Sequence, residues 1–106
     1  MEVSIRQLQE YLLEHYENRR TEQGLFLKLV EEIGEVAEVL NIRAGLKKGE
    51  TSTEELGIEL ADIIHYTVAI AAINNIDLTD IILKKDEKSA IKYNHKMNLK
   101  EYISKK

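Results

Sequence analysis

Two pairs of carboxylates in this sequence have the spacing of adjacent turns on one face of a helix. Glu32 and Glu35 form the first pair, and Glu59 and Asp62 form the second. Side chains three residues apart on a helix have Cβ atoms about 5–6 Å apart, so each pair could hold one cation or two adjacent ones. Residues 58–73, which contain the second pair, are otherwise apolar and include no lysine or arginine. Because an unpaired buried carboxylate is costly, we favour metal binding for all four residues.

Oxygen would be the ligand atom of such a site. The chain has no cysteine, so thiolate metal sites, disulfides and cysteine nucleophiles are excluded, and its three histidines share no metal-ligand spacing. Carboxylate ligands suit Mg²⁺, with Mn²⁺ as the alternative, and disfavour zinc or copper. The competing interpretation of the first pair is a solvated helix edge, and that of the second pair is a set of salt bridges to distant lysines.

The elements that must position these acids are predicted to be four helices in an all-α bundle. The predicted helices span residues 5–18, 25–43, 53–73 and 80–93. Ser4 is the expected N-cap of the first helix, and Ser52 with Glu55 has the spacing of a capping box. Asp77 or Thr79 is expected to cap the fourth. An antiparallel pairing of the two middle helices would place the four acids around one small space.

The chain 1–106 is expected to form a single domain, in which residues 96–106 either extend the last helix or fray. The predicted inner face of the first helix comprises Ile5, Leu8, Leu12, His15 and Tyr16. The predicted inner stripe of the second helix comprises Leu29, Ile33, Val36, Ala37 and Leu40. Glu31 and Glu38 would then lie on a solvated face. The third helix reads as buried on all sides, and a chain of this length has difficulty covering such a helix, so we expect self-association.

Charge and hydropathy exclude several classes of protein. Residues 1–83 carry 16 acidic and 7 basic residues, whereas residues 84–106 carry 8 lysines and 3 acidic residues. The net negative charge of residues 1–83 argues against binding of polymeric nucleic acid. The sequence has no long apolar run without charge and no basic segment followed by an apolar core at its start, so neither a membrane span nor a secretory signal is expected. A cytoplasmic protein is the resulting expectation.

The acidic motifs also carry a family resemblance. The segments EEIGE at 31–35 and ELAD at 59–62 resemble the paired-acid motif E-E-x-x-E, spacer, E-x-x-D of the MazG-like nucleotide pyrophosphohydrolases, which belong to the all-α NTP pyrophosphatase superfamily. The similarity extends over residues 25–93. All-α dUTPases and phosphoribosyl-ATP pyrophosphohydrolases share the motif.

The resemblance implies a Mg²⁺-dependent enzyme that cleaves a nucleoside triphosphate between its α- and β-phosphates. The products would be a nucleoside monophosphate and pyrophosphate, and the role would be house-cleaning of nucleotides. By motif position, the expected metal ligands are Glu32, Glu35, Glu59 and Asp62. Glu31 is a less secure member of the catalytic set. The family usually forms homodimers or homotetramers.

The resemblance further implies that Lys85, Lys92 and Tyr93 contact phosphates or sugar. Ser89 stands where the family has an asparagine, and Asn94 could replace that amide only from a direction about 140° away. Two residues earlier in the chain carry open assignments. Lys28 either binds substrate or pairs with Glu32. His15 is either a core histidine or part of a base pocket with Tyr11 or Phe26.

Two alternatives remain at this point: phosphoribosyl-ATP hydrolysis, and a non-catalytic helical interaction module of the same fold. The Ser89 departure from the family pattern favours the second of these.

Overall fold

A computed structural model describes residues 1–16 and 21–105 of the chain. The helices are α1 (Ile5–Tyr16), α2 (Glu22–Arg43), α3 (Thr53–Ile73), α4 (Leu78–Lys92) and α5 (Leu99–Ser104). The described residues contain no β-strand, so the prediction of an all-α fold is confirmed. The predicted end of α1 at Asn18 lies outside the described residues.

Side-chain caps fix where the helices begin. Thr21 accepts a hydrogen bond from the Gly24 amide, and α2 therefore begins three residues before its predicted start. Ser52 caps α3 as predicted, accepting from the Glu55 amide at 3.0 Å. The Glu55 carboxylate does not close the expected box; it accepts from the Thr51 hydroxyl instead. Of the two candidate caps for α4, Asp77 is the one used, so this helix begins at Leu78.

Three helices end in the same backbone motif. After α2, Gly45 adopts a left-handed conformation with φ +77°, and the Leu46 amide donates back to the Asn41 carbonyl. Asn75 after α3 and Asn94 after α4 occupy the equivalent position, with φ values of 55° and 54°. This is the Schellman arrangement, in which a left-handed residue satisfies the last helical carbonyls and reverses the chain.

The C-terminal segment forms a separate helix, so the predicted alternative in which residues 96–106 extend α4 is wrong over their described part. Asn98 and Glu101 form a reciprocal capping box that begins α5. The Leu99 amide also donates to Asp86 Oδ2 of α4. The turn at Asn94 explains the difference, because it redirects the chain back onto α4. Lys106 lies outside the described residues.

The core is small and lies between α1, α2 and α3. Its buried cluster comprises Leu12, Tyr16, Leu25, Val68 and Ala69. The most extensive helix packing is between α2 and α3, which run antiparallel because a short loop joins them. The four acids lie on these two paired helices.

The face that α2 turns towards the core differs from the predicted one. Leu25, Glu32 and Val39 are its buried residues, whereas Ile33 and Leu40 are 50% and 48% exposed. The helix carries two apolar stripes that are offset by one residue. The structure buries the stripe that contains Leu25, Val39 and the acid Glu32. The other, which we call the outer stripe, is exposed and comprises Phe26, Val30, Ile33, Ala37 and Leu40.

Within one chain, α3 is not buried on all sides as its composition predicts. Val68, Ala69, Ala71 and Ala72 in its second half are buried. In the first half, Ile58, Leu60 and Ile64 are 54%, 45% and 51% exposed. The single chain therefore covers only the second half of its most apolar helix.

By length and hydropathy alone, α3 could also cross a lipid bilayer: it has 21 residues, and its most apolar window has a mean hydropathy of 1.6. The core helices of soluble proteins satisfy the same criteria. Glu59 and Asp62 near the middle of α3 would each be costly in hydrocarbon.

Candidate metal centre

The antiparallel pairing of α2 and α3 brings the predicted acids together. Ligand oxygens of Glu32, Glu59 and Asp62 lie within 4.8 Å of one another. A second group, made of Glu31, Glu32 and Glu35, satisfies the same limit. Glu32 belongs to both groups because it lies on the face of α2 that packs against α3. We refer to Glu32, Glu35, Glu59 and Asp62 as the carboxylate cluster.

Burial makes this cluster unusual. Glu32 is only 7% exposed, and Glu59 and Asp62 are half-buried. Glu32 Oε2 and Glu59 Oε2 are shielded from solvent, and no lysine, arginine, hydroxyl or backbone amide in the described part of the chain donates a hydrogen bond to them. Buried polar atoms are normally paired, so these two oxygens require either a proton shared within the cluster or a bound cation.

The carboxylates perturb one another's protonation. Hydrogen bonds with Glu35 and then Glu32 raise the pKa of Glu59 to about 7, with burial acting in the same direction. Burial is the main cause that raises the pKa of Glu32; the charges of Glu35 and Asp62 add to it, and the hydrogen bond with Glu59 opposes it. A shared proton is thus how the cluster relieves its repulsion when no cation is bound.

These observations fit a hard divalent cation. The donor set consists entirely of carboxylate oxygens, which is the ligand type of Mg²⁺, Mn²⁺ or Ca²⁺. The two unpaired buried oxygens supply acceptor sites that a cation would satisfy. The predicted alternative of salt bridges to distant lysines for Glu59 and Asp62 is wrong within the described residues, because neither acid forms an ion pair there.

Lys28 lies at one end of the cluster but does not pair with Glu32. Its ammonium donates to Glu31 Oε2 at 3.2 Å instead, and this contact is the main cause that raises the pKa of Lys28. Glu31 is exposed, as predicted for a solvated face, and its carboxylate pairs there with Lys28. It also approaches Glu32 and Glu35. Lys28 remains close enough to Tyr66 of α3 for the two to interact electrostatically.

His15 is exposed, so its predicted place on the inner face of α1 is wrong. Its ring stacks on Tyr11, with centroids 6.1 Å apart, and meets the edge of Tyr16. Tyr16 in turn forms a 2.5 Å hydrogen bond with His65 Nε2, and His65 meets the ring of Tyr66. A continuous row of rings thus leads from the surface of α1 to the turn of α3 that follows Asp62.

The predicted substrate residues of α4 are placed apart from the cluster's hydrogen-bond network. No described hydrogen bond or ion pair joins Lys85, Ser89, Lys92 or Tyr93 to the four acids. Lys92 lies over the Tyr93 ring at 5.3 Å, and Ser89 is half-buried. The main packing partners of α4 are α5 and α1.

Asn94 has a structural role at the end of α4, apart from any role in replacing the amide that Ser89 lacks. Its left-handed backbone ends α4, so a helical angle counted from Ser89 does not describe where its side chain lies. Asparagine is among the few non-glycine residues that adopt this conformation readily.

Sequence reasoning missed the ion pair between Lys47 and Glu38, which lies beside the cluster. The two are nine residues apart, and only the reversal at Gly45 brings them together. Helical periodicity gives no signal for such a contact. The available indication was Gly45 just after the helix, with Lys47 and Lys48 two and three residues beyond it.

Comparison with known proteins agrees with this geometry. A family model for the MazG nucleotide pyrophosphohydrolase domain matches residues 20–97. Among solved structures, the chain is similar to a crystal structure of iMazG from Vibrio DAT 722, with 29% identity and a TM-score of 0.62. The alignment covers 88% of this chain and all of that one. Comparison with curated proteins gave no significant match. The family match takes in both α2 and α3 and hence all four clustered acids, and the chain belongs to the family of MazG nucleotide pyrophosphohydrolase domains.

Proposed function

We propose that this protein hydrolyses nucleoside triphosphates, ribo or deoxy, to the monophosphate and pyrophosphate, with Mg²⁺ held by the carboxylate cluster. The reaction consumes one water per substrate. The observation that carries the proposal is that Glu32 Oε2 and Glu59 Oε2 are buried and accept from no lysine, arginine, hydroxyl or backbone amide of the described chain, in a group of carboxylates whose oxygens converge. Membership in the family supports the reaction type. House-cleaning of nucleotides in the cytoplasm is the corresponding role.

In this proposal, the side chains of the cluster serve as oxygen ligands of the metal. Glu32, Glu59 and Asp62 supply converging oxygens, and Glu35 adds a further oxygen from the next turn of α2. Bound Mg²⁺ supplies the Lewis acidity and the positive charge that phosphate-anhydride cleavage requires. Glu31 positions the ammonium of Lys28 at one end of the cluster, where it can meet a substrate oxygen.

We retain the α4 residues Lys85, Ser89, Lys92 and Tyr93, with Asn94 and His15, as proposed substrate contacts. In support, Lys92 and Tyr93 are exposed at the end of α4, and His15 stacks with Tyr11 on the surface of α1. Stacking on aromatic rings is a usual way for proteins to hold a base.

We also propose that the functional protein is a homodimer or homotetramer. The outer stripe of α2 has heptad spacing, which suits packing against another helix. Its Phe26, Val30, Ile33 and Leu40 are each about half exposed. Exposed apolar surface of this extent, together with the uncovered half of α3, is typical of a protein interface.

A pyrophosphate-release assay over a panel of nucleoside triphosphates tests the reaction. Release with added Mg²⁺ and none with chelator is the expected result, and a panel that includes phosphoribosyl-ATP separates the two enzymatic alternatives. Absence of turnover on every nucleotide would favour the non-catalytic interaction module.

Substitution of the ligands tests the site itself. Asp62→Ala and Glu59→Ala are expected to lower kcat by at least about a hundredfold, because even outer-sphere partners of metal ligands commonly cost 10–100-fold. Glu54→Ala is the matched control, since Glu54 is exposed in the first turn of the same helix. Near-native turnover of either ligand variant would show that the metal site is assigned to the wrong acids.

A further inference from the structure

Beyond the carboxylate cluster, the groove between α2 and α3 continues towards the loop as a cleft of about 420 Å³. We call it the acidic cleft because five glutamates line it: Glu35, Glu38, Glu50, Glu55 and Glu59. Two of these belong to the cluster, so the cleft opens directly from the proposed site. Polyanions are repelled from a surface with this charge unless cations are present.

One lysine pairs with a carboxylate that lines the acidic cleft. Lys47 Nζ lies 2.5 Å from Glu38 Oε1. In the described part of the chain, no other lysine or arginine pairs with a carboxylate that lines the cleft. Both partners are 53% exposed, and exposed ion pairs contribute little net free energy, so a more highly charged anion can displace the glutamate.

The two ends of the cluster differ in chemistry. Away from the loop, α3 continues past Asp62 to the rings of His65 and Tyr66, and aromatic rings suit a nucleobase. Towards the loop lie the acidic cleft and Lys47, which suit phosphates accompanied by cations. A nucleotide whose α-phosphate lies at the cluster, with its base on the aromatic side, would extend its outer phosphates towards Lys47.

We propose that Lys47 determines specificity for triphosphates by leaving Glu38 and binding the outer phosphates of the substrate. The inference rests on the proposed function. Lysine suits this exchange because its ammonium is a point charge on a flexible four-carbon stem. Glu38 holds the ammonium at the cleft when no substrate is bound and competes with phosphate for it.

Titration of the Mg²⁺-loaded protein with inorganic tripolyphosphate, followed by calorimetry, tests the inference without requiring turnover. Lys47→Ala is expected to weaken binding about tenfold, the effect of losing one charge-assisted hydrogen bond. Glu38→Gln is expected to tighten binding several-fold, because it removes the competitor. Lys48→Ala is the matched control and should bind like wild type, since Lys48 is exposed and pairs with no carboxylate in the described structure.

The opposite signs of the two effects separate substrate binding from loop anchoring. If Lys47 only anchors the loop, Glu38→Gln would weaken binding as Lys47→Ala does, and that result would overturn the inference. Wild-type affinity in Lys47→Ala, or no tripolyphosphate binding by the wild type, would also overturn it. Thermal melting checks that all variants fold.

Kinetics with nucleoside triphosphates distinguish this inference from the proposed function. The KM of Lys47→Ala should rise by about the same tenfold factor while kcat changes less, because the contact exists before the bond breaks. Turnover by the wild type with an unchanged KM in Lys47→Ala would refute the role of Lys47 alone. The expected tripolyphosphate pattern without any nucleotide hydrolysis would refute the proposed function and leave the phosphate-binding role supported.

Discussion

At the scale of single residues, Glu59 is the carboxylate whose protonation is most strongly perturbed by its neighbours. The pKa of Glu59 is raised to about 7 through its contacts with Glu35 and Glu32. A divalent cation would take over the task of that proton, because it neutralises the same oxygens. Metal binding and protonation are therefore alternatives at this site, and metal affinity should fall with pH below about 7.

The same pKa predicts how stability varies with pH. The folded-state pKa of Glu59 exceeds the ordinary value of 4.5. Its contribution to the free energy of unfolding is therefore fully present below pH 4.5 and is lost as pH rises through about 7. We expect metal-free protein to melt at a lower temperature at about pH 8 than at about pH 6, and saturating Mg²⁺ to remove much of that loss.

Thermal melting with chelator or Mg²⁺ measures this effect, and Glu59→Gln is the control because it keeps the shape but cannot ionise. The variant should lose most of the pH dependence in chelator. Equal pH slopes for wild type and variant would show that Glu59 does not carry the shared proton.

Individual residues also show what spacing can and cannot predict. The acids of the cluster were identified because i, i+3 spacing is a local property of a helix, and the structure brings them together. The partner of Lys28 was predicted wrongly, since both Glu31 and Glu32 lie within reach of it on α2 and spacing does not choose between them. Lys47 was missed because its contact depends on a chain reversal.

At the scale of helices, the sequence predicted types and most boundaries because caps are local. The bounds of α3 agree with prediction, and Ser52 caps it. The inner face of α2 was predicted wrongly for a physical reason. Hydrophobicity favours burying Ile33 and Leu40, whereas the structure buries Glu32 and Val39. Glu32 lies in the packed face together with Val39, and its proposed role as a metal ligand is a reason for a carboxylate to be buried where hydrophobicity alone would place an apolar side chain.

Packing of α1 against α3 gives a prediction about stability. Leu12 is fully buried in the core cluster, whereas its neighbour Leu13 is 38% exposed. Leu12→Ala should lower the free energy of unfolding by about 2–5 kcal/mol, and Leu13→Ala by less than about 1 kcal/mol. Urea denaturation followed by circular dichroism measures both. Similar losses in the two variants would contradict the assigned orientation of α1.

At the scale of the whole molecule, the single chain is more open than a compact domain of its length, which supports the proposed self-association. Its radius of gyration is 16.8 Å, compared with about 13 Å for a compact domain of 100 residues. Leu12 and Leu25 are the only large side chains in the described residues that are fully buried. Sequence composition indicated self-association through α3, but the outer stripe of α2 could be located only once the structure had shown which stripe faces inward.

The outer stripe gives the last prediction. Ile33 lies at its centre, and Ile33→Lys would place an ammonium in the apolar contact, where desolvating the charge opposes association. We expect the wild-type mass in light scattering to be a multiple of 12.2 kDa and the variant to shift towards one chain. Leu27→Lys is the control, because Leu27 is 58% exposed on the same helix but outside the stripe. If Ile33→Lys kept the wild-type mass, or Leu27→Lys dissociated equally, a different surface would have to join the copies.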